Sequence, residues 1–123
     1  FKEACDKGYA GGCTNLAGFY YRGIDVPRKR GLAAYLYKKG CDNWGASGCT
    51  QLGIMYRTGD GVSKSLTSAV SLLTKACNGS DGQGCYALAV SYNHGSGVAR
   101  DVSKANKLLN KACALGYTLA CNR

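Results

Sequence analysis

The residues from Cys41 to Cys77 read CDNWGASGCTQLGIMYRTGDGVSKSLTSAVSLLTKAC, and they contain the pattern from which the fold can be predicted. Within it Cys49 lies eight positions after Cys41, and Cys77 lies 36 positions after Cys41. The same two steps place the other cysteines of the chain, which are Cys5, Cys13, Cys85, Cys113 and Cys121. A fixed period of this length indicates an array of structural repeats, each of them one supersecondary unit.

Apolar and small residues within one repeat recur at the spacing of a single helical face. In the second unit these residues are Cys49, Leu52, Gly53 and Tyr56. The pattern predicts an amphipathic helix over residues 47–58, called helix A, which ends at the breaker sequence Gly59-Asp60-Gly61. The first unit has Gly23-Ile24-Asp25 at this place, so we expect its turn to differ in shape.

A second helix, helix B, follows helix A in each unit. Its apolar face in the second unit comprises Leu66, Ala69, Leu73 and Cys77. In the first unit Arg30 interrupts this face, and Leu32 is expected to compensate. The N-cap candidates are Ser63 or Ser65 in the second unit and Asp101 or Ser103 in the third. No segment has a strand pattern, so we predict an all-α fold: an α/α superhelix (solenoid) of 36-residue two-helix repeats.

The cysteines are expected to cross-link neighbouring helices. Each helix B ends in a cysteine and the next helix A begins with one, and a short loop brings both positions within disulfide reach. Many connectivities are possible for eight cysteines, but the repeat favours one bridge per unit. The predicted bridges are Cys5–Cys13, Cys41–Cys49, Cys77–Cys85 and Cys113–Cys121. Zinc sites need close cysteine pairs, which are missing here, so the cysteine content indicates a secreted or periplasmic protein.

The length of 123 residues suits a single repeat domain, 1–123. We expect about 1–13 to end a preceding unit, and 119–123 to begin a further helix. The units between them are expected at about 11–46, 47–82 and 83–118. The opening Phe1-Lys2-Glu3-Ala4-Cys5 looks like the end of a helix, which suggests missing residues upstream. No run approaches the ~20 apolar residues of a membrane span.

The net charge of +9 raises the alternative of nucleic-acid binding. The basic residues are spread along the chain, however, and only Arg28-Lys29-Arg30 forms a dense run. Nucleic-acid binding surfaces combine clustered charge with stacking aromatic residues, and this sequence has no such cluster. We therefore expect a solvated basic surface on a monomer that binds no nucleic acid.

Three motifs carry a resemblance to a known family: Gly48-Cys49-x-x-Leu52-Gly53-x-x-Tyr56, Gly59-x-Gly61-Val62 and Lys75-Ala76-Cys77. They resemble the Sel-one-like repeat, a relative of the tetratricopeptide repeat. With a cysteine pair in every unit, the chain is similar to the Helicobacter cysteine-rich protein family. That resemblance implies a secreted bacterial protein that binds penicillin and other β-lactams, hydrolyses them slowly as a β-lactamase, and meets host proteins. The alternative is a non-catalytic module that binds peptide or protein partners of the host or the cell wall.

The residues themselves offer no conventional β-lactamase site. A serine β-lactamase uses Ser-x-x-Lys, whereas here no lysine lies three positions after a serine. The nearest matches are Ser71 with Lys75 and Ser103 with Lys107, which are four positions apart. These pairs are expected to be solvated helix neighbours. His94 is the only histidine, and a metallo-β-lactamase requires several. The catalytic residue is therefore unknown, and neither a metal nor another cofactor is expected.

A binding groove is expected on helix A, on the face opposite its cysteine–leucine–tyrosine stripe, because the first helices of stacked pairs line the concave side of a solenoid. Amide side chains there can clamp an extended peptide backbone, and a β-lactam is itself a peptide mimic. The candidate groove residues are Asn15, Arg22, Gln51, Ile54, Thr58, Gln83, Val90 and His94. Trp44, the only tryptophan, is expected to pack over the loop between bridged cysteines, although ligand contact is the alternative.

Overall fold

The computed structural model describes residues 2–23 and 28–121, and within these ranges it contains helices and turns but no strand. The helices are α1 (Lys2–Asp6), α2 (Ala10–Arg22), α3 (Arg30–Asp42), α4 (Ala46–Thr58), α5 (Leu66–Asn78), α6 (Gly82–His94), α7 (Val102–Ala114) and α8 (Thr118–Cys121). Three helix A–helix B pairs, α2–α3, α4–α5 and α6–α7, follow one another along the chain and pack side by side. The predicted all-α solenoid is confirmed.

The helix boundaries follow from the turn residues. The second helix A begins at Ala46, one residue before the predicted start, and ends at Thr58 as predicted. Gly59 then adopts the left-handed conformation with φ 74°, and its N–H donates to the carbonyl of Met55 at 2.8 Å. Glycine adopts this conformation without a steric penalty, which explains why the helix ends there. The turn that we expected to differ falls on residues 24–27, which lie outside the described residues.

Side-chain caps begin two of the second helices. Ser65 Oγ accepts a hydrogen bond from the Ser68 N–H at 3.3 Å, and Asp101 Oδ1 accepts one from the Lys104 N–H at 3.0 Å. These bonds satisfy backbone donors that have no partner inside the helix. Of the N-cap candidates, Ser65 and Asp101 are therefore the ones used.

Arg30, the residue that interrupts the apolar face of the first helix B, has an ionic partner. The expectation that Leu32 compensates for it is wrong, because Leu32 is 37% exposed. Instead Nη1 of Arg30 lies 2.7 Å from Oδ1 of Asp60, in the turn of the second unit. A partly buried charge is tolerated when it is paired, so this arginine joins two units.

All four predicted disulfides are present, and their Cα–Cα distances lie between 4.3 and 4.9 Å. The cysteines of the first three bridges are at most 2% exposed, whereas Cys121 of the last bridge is exposed. The first three bridges therefore fill the interior between helices as well as closing a loop. A disulfide that closes a loop of this length stabilises the fold by about 2–3 kcal/mol, because it reduces the entropy of the unfolded chain.

The layer of first helices (α2, α4 and α6) and the layer of second helices (α3, α5 and α7) differ in how closely their members approach one another. The helix A of the second unit, α4, packs directly against α2 and α6, while α3, α5 and α7 contact one another less. Elements on the inside of a bend approach one another more closely than elements on the outside. The first helices thus form the concave face, and α3, α5 and α7 form the outer face. The core between the layers includes Leu52, Met55, Leu73 and Leu88.

Candidate binding groove

The concave face carries one row of side chains from each helix A, at equal positions of the repeat. On α2 the row is Gly11, Asn15, Gly18 and Arg22; on α4 it is Ser47, Gln51, Ile54 and Thr58; on α6 it is Gln83, Ala87, Val90 and His94. Each position of this row therefore changes in size or polarity from one unit to the next. These changes decide where the face is open and where it is filled.

A first depression of about 380 Å³ lies between α2 and α4. It is lined by Thr14, Asn15, Gly18, Tyr21, Arg22, Tyr37, Ser47 and Gln51. The predicted residues Asn15, Arg22 and Gln51 thus line one cavity. This volume is in the range of cavities that hold small ligands or side chains.

Gly18 keeps this depression open. A Cβ atom at Gly18 would lie 2.9 Å from Nη2 of Arg22 and 3.8 Å from the hydroxyl of Tyr37. The other units place larger side chains at the same position, Ile54 and Val90. The absence of a side chain at Gly18 therefore gives a ligand access to a polar interior.

The polar groups of the first depression are donors at neutral pH. Tyr37 is only 7% exposed, and burial raises the pKa of its phenol. Its hydroxyl therefore remains protonated and can donate a hydrogen bond. Arg22 is exposed, and its Nε donates to the carbonyl of Gly18 at 3.3 Å. The site thus offers a phenol, a guanidinium and the amides of Asn15 and Gln51.

An ion pair fixes the rim of this depression. Nη1 of Arg30 contacts both carboxylate oxygens of Asp60, at 2.7 and 2.8 Å, and the hydroxyl of Tyr21 donates to Asp60 Oδ2 at 2.7 Å. The Arg30 guanidinium also lies 4.7 Å from the centroid of the Tyr21 ring. Hydrogen bonds from Arg30 and then Tyr21 lower the pKa of Asp60, and the bond to Asp60 raises the pKa of Tyr21. The rim therefore stays ionised over the physiological pH range.

A second depression of about 330 Å³ lies two units further along the same face. Its lining includes Tyr86, Val90, Asn93, His94, Leu109 and Leu119, each 72 positions after a lining residue of the first depression. The predicted residues Val90 and His94 belong here. Apolar groups replace polar ones, since Leu109 and Leu119 stand where the first depression has Tyr37 and Ser47. The two depressions therefore differ in the chemistry that they offer.

The middle of the face is occupied by side chains that bond to one another. Nε2 of Gln51 donates to Oε1 of Gln83 at 3.3 Å, across the gap between α4 and α6. Thr58 uses its hydroxyl within its own helix, donating to the carbonyl of Ile54 at 3.1 Å. Of the eight predicted residues, three line the first depression, two line the second, and Gln83 bonds to Gln51 between them. Ile54 and Thr58 line neither depression, so the eight residues do not form one continuous groove.

Sequence reasoning overlooked Thr14, Tyr21 and Tyr37 as lining residues. Tyr37 belongs to α3, and only the packing of α3 against α2 and α4 brings this residue to the depression. Thr14 and Tyr21 have a detectable signal: with Gly18 they lie at helical spacing on the same side of α2. A search for polar residues on this side of α2 would therefore have identified both.

The described residues contain no candidate metal site. Over 2–23 and 28–121, no group of three His, Cys, Asp or Glu side chains is placed to hold a metal ion. His94 is the exposed last residue of α6 and precedes Gly95. Among the helices described, none has both the length and the apolar content that crossing a membrane requires.

Solved structures show what the whole chain resembles. A protective antigen of uropathogenic Escherichia coli strains, which displays an SLR fold, is 29% identical with a TM-score of 0.92 over 99% of this chain and 26% of its own. Cysteine-rich protein B of Helicobacter pylori is 32% identical with a TM-score of 0.77, over 97% of this chain and 85% of its own. A Sel1 repeat protein from Oxalobacter formigenes shares the fold at 21% identity, with a TM-score of 0.87 over 93% of this chain and 47% of its own.

The chain therefore spans about a quarter and about half of the lengths of the Escherichia coli and Oxalobacter proteins. No curated protein sequence is significantly similar to it. The family model of the Sel1 repeat matches residues 10–43, 46–81 and 82–117. The resemblance to the Sel-one-like repeat is thereby confirmed, and the chain belongs to the Sel1 repeat family.

Proposed function

We propose that the protein is a non-catalytic binding module that holds an extended peptide segment in the depression between α2 and α4. The observation that carries this proposal is that Asn15, Arg22, Gln51 and Tyr37 line one cavity that Gly18 leaves open. Amide side chains can donate to and accept from a peptide backbone, and a buried phenol adds a donor. Arg22 supplies a guanidinium for a carboxylate of the ligand.

Gln51 connects this cavity to the rest of the concave face. Its bond to Gln83 is 3.3 Å long, which is beyond the usual length of an amide hydrogen bond. A ligand amide can replace this bond at little free-energy cost, since a neutral hydrogen bond contributes only about 1 kcal/mol net. An extended peptide bound at Asn15 and Gln51 then continues towards Gln83, Val90 and His94.

The setting that we propose is outside the cytoplasm. Four disulfides and no free cysteine in the described residues support a secreted or periplasmic location. We propose that residues 1–123 act as one repeat domain and as a monomer, with units at about 11–46, 47–82 and 83–118. The partners would be proteins of the host or peptides of the cell wall.

A finer proposal, which rests on the resemblance to the Helicobacter family, is that the same cavity binds β-lactams and hydrolyses them slowly. Binding is supported by the chemistry of the ligand, because a β-lactam mimics a peptide and carries a carboxylate for Arg22. Hydrolysis has less support: the raised pKa of Tyr37 makes this phenol a donor and not a base. Peptide binding is therefore the favoured function.

The test uses peptides selected by display on the fully oxidised protein, with affinities then measured by titration calorimetry. Gly18→Ile introduces the side chain of Ile54 into the open position, and we expect it to weaken binding at least about tenfold. Asn15→Ala and Gln51→Ala should weaken binding to a smaller extent. Ser103→Ala, on the exposed side of α7, is the matched control and should bind normally.

Unchanged affinity in Gly18→Ile would contradict the proposed site. The β-lactam proposal is tested separately with a chromogenic cephalosporin and mass measurement of the protein after incubation. Turnover that disappears in Gly18→Ile would favour hydrolysis in this cavity. If neither turnover nor a covalent adduct is detected, hydrolysis is contradicted and the protein acts as a binding module only.

A further inference from the structure

A separate cleft lies on the outer side of the solenoid, away from both depressions of the concave face. It has a volume of about 490 Å³ and is lined by Cys41, Trp44, Ala46, Cys49, Ser71, Thr74, Lys75, Asn78 and Gly79. The Cys41–Cys49 disulfide forms part of its apolar floor, and both cysteines are 1% exposed. The expectation that Trp44 packs over its loop is wrong, because this side chain is 93% exposed beside the cleft.

Trp44 occupies a backbone position that favours glycine. Its φ is 71°, and the equivalent positions of neighbouring units are Gly8 with φ 84°, Ser80 with φ 68° and Gly116 with φ 92°. A bulky residue is sterically disfavoured in this left-handed conformation. The fold therefore gains no stability from burial of the Trp44 side chain, and a tryptophan at this φ is sterically unfavourable for the backbone. Strain and apolar exposure at the same residue point to a binding role.

The cleft continues into a smaller depression of about 270 Å³ that shares Cys41, Ser71 and Lys75 with it. The smaller depression is also lined by Leu52, Tyr56 and Leu72. Two apolar surfaces, one at Trp44 and one at Tyr56, thus flank the exposed side chain of Lys75. A linear ligand can contact both surfaces while it passes over this lysine.

The charge at the centre of this surface is positive. Lys38 and Asp42, which line the smaller depression, pair with each other at 2.9 Å. Lys75 has no carboxylate partner in the part of the chain that the structure describes. Its ammonium group is therefore available to an anionic ligand, in a protein whose net charge is +9.

We propose that this outer surface binds an acidic peptide segment of a partner protein, in which a carboxylate lies between two apolar side chains. One apolar side chain stacks on the indole of Trp44, the carboxylate pairs with Lys75, and the other apolar side chain contacts Tyr56 and Leu72. The Ser71 hydroxyl lines the cleft and can bond the peptide backbone. The Thr74 hydroxyl already donates to the carbonyl of Val70 at 2.7 Å, so it can only accept a hydrogen bond from the peptide. This site is independent of the concave groove.

Trp44 provides its own reporter, since it is the only tryptophan of the chain. The probes are acetylated and amidated peptides without tryptophan, in which one glutamate lies between two leucines at several separations. A matched set carries glutamine in place of glutamate. We expect the glutamate peptides to shift Trp44 emission to shorter wavelength and to protect it from acrylamide. The glutamine peptides should bind about tenfold more weakly.

Variants assign the contacts. Lys75→Gln should remove the preference for glutamate, while Lys111→Gln, the same repeat position in the third unit, should keep it. Trp44→Gly restores the residue of Gly8 and Gly116, so it should fold normally and bind at least about tenfold more weakly in calorimetry. Gly18→Ile, which fills the concave depression, should leave this binding unchanged.

Several results would overturn the proposal. They are no protection of Trp44 by any peptide, equal affinity for glutamate and glutamine peptides, and an equal loss in Lys111→Gln. Loss of binding in Gly18→Ile would assign the peptides to the concave groove instead. Protection by vesicles of mixed phosphatidylserine and phosphatidylcholine, but not by peptides, would identify a membrane surface as the ligand.

Discussion

The junction between the first and second units and the junction between the second and third have the same backbone but different side-chain chemistry. At the first junction, where α2 and α3 meet α4, an ion pair joins Arg30 to Asp60 and the concave face is open beside Gly18. At the second, where α4 and α5 meet α6, the hydroxyl of Thr50 donates to Asp81 and Gln51 bonds to Gln83.

This difference shows how a repeat protein separates stability from binding. The backbone path and the disulfides recur in every unit, so each junction has the same framework. Substitutions at a few repeat positions then fill one junction with internal hydrogen bonds and leave the other accessible. The experiments below measure the two junctions against each other.

The largest effect is expected from removal of a disulfide. Replacing Cys41 and Cys49 together by alanine should lower the free energy of unfolding by about 2–3 kcal/mol, because the unfolded chain gains entropy. Replacing Cys77 and Cys85 should have the same effect, since both pairs are separated by eight residues and are fully buried. Urea unfolding followed by circular dichroism measures both. A loss of less than about 1 kcal/mol in either variant would contradict the chain-entropy account.

The next effect belongs to the second junction. Oδ2 of Asp81 accepts bonds from the Thr50 hydroxyl and from the Gly84 N–H, the latter at 3.0 Å, and Thr50 is fully buried. Asp81→Ala removes an N-cap and leaves a buried hydroxyl without its partner, so it should cost about 2 kcal/mol of unfolding free energy. The double variant with Thr50→Val should lose less than the sum of the single variants. Additive losses would show that the two side chains act independently.

The stability of the first junction is expected to depend on pH. The pKa of Asp60 is lowered by hydrogen bonds from Arg30 and Tyr21. Its contribution to stability is therefore complete above the unfolded value near pH 4 and is lost as pH falls through the lower folded value. Asp60→Asn should reduce the melting temperature at neutral pH and flatten its decline below about pH 4. Tyr21→Phe, which keeps the ion pair, should give an intermediate curve, and an unchanged curve in Asp60→Asn would contradict this role.

The smallest effect is expected at the loops between bridged cysteines. Trp44→Gly relieves an unfavourable left-handed conformation but makes the unfolded chain more flexible, so it should raise the free energy of unfolding by less than about 1 kcal/mol. Ser80→Gly, at the same position of the second junction, should change stability similarly. Circular dichroism is the suitable measurement, because Trp44 is the only tryptophan. Destabilisation by Trp44→Gly would show that the indole makes stabilising contacts.

Sequence reasoning predicted the scaffold closely because its signals are local and repeated. The cysteine period, the helical face of Cys49, Leu52 and Tyr56, and the glycine breaker at Gly59 all depend on positions a few residues apart. The helix over residues 46–58 and all four bridges follow from them. The partner of Arg30 could not be predicted in this way, because Asp60 lies 30 residues away and no local pattern connects the two.

The candidate site was predicted only in part for the same reason. Asn15 and Gln51 were identified from their face of helix A, but Tyr37 reaches the cavity through the packing of α3, and Gln83 closes the middle of the face through a side-chain bond. Trp44 was expected to be packed, since a lone tryptophan in a loop is usually covered by its neighbours. Here the loop turns it outwards with a positive φ.

The 36-residue spacing of cysteines, apolar residues and glycines is enough to specify a cross-linked stack of helix pairs, because neighbours along the chain form each helix, turn and bridge. The packing of the units against one another sets which of their side chains meet: Arg30 with Asp60, Gln51 with Gln83, and Lys75 with the surfaces at Trp44 and Tyr56. These contacts depend on the curvature of the stack and on the spacing between whole helices. Residues that are distant in sequence determine both properties jointly.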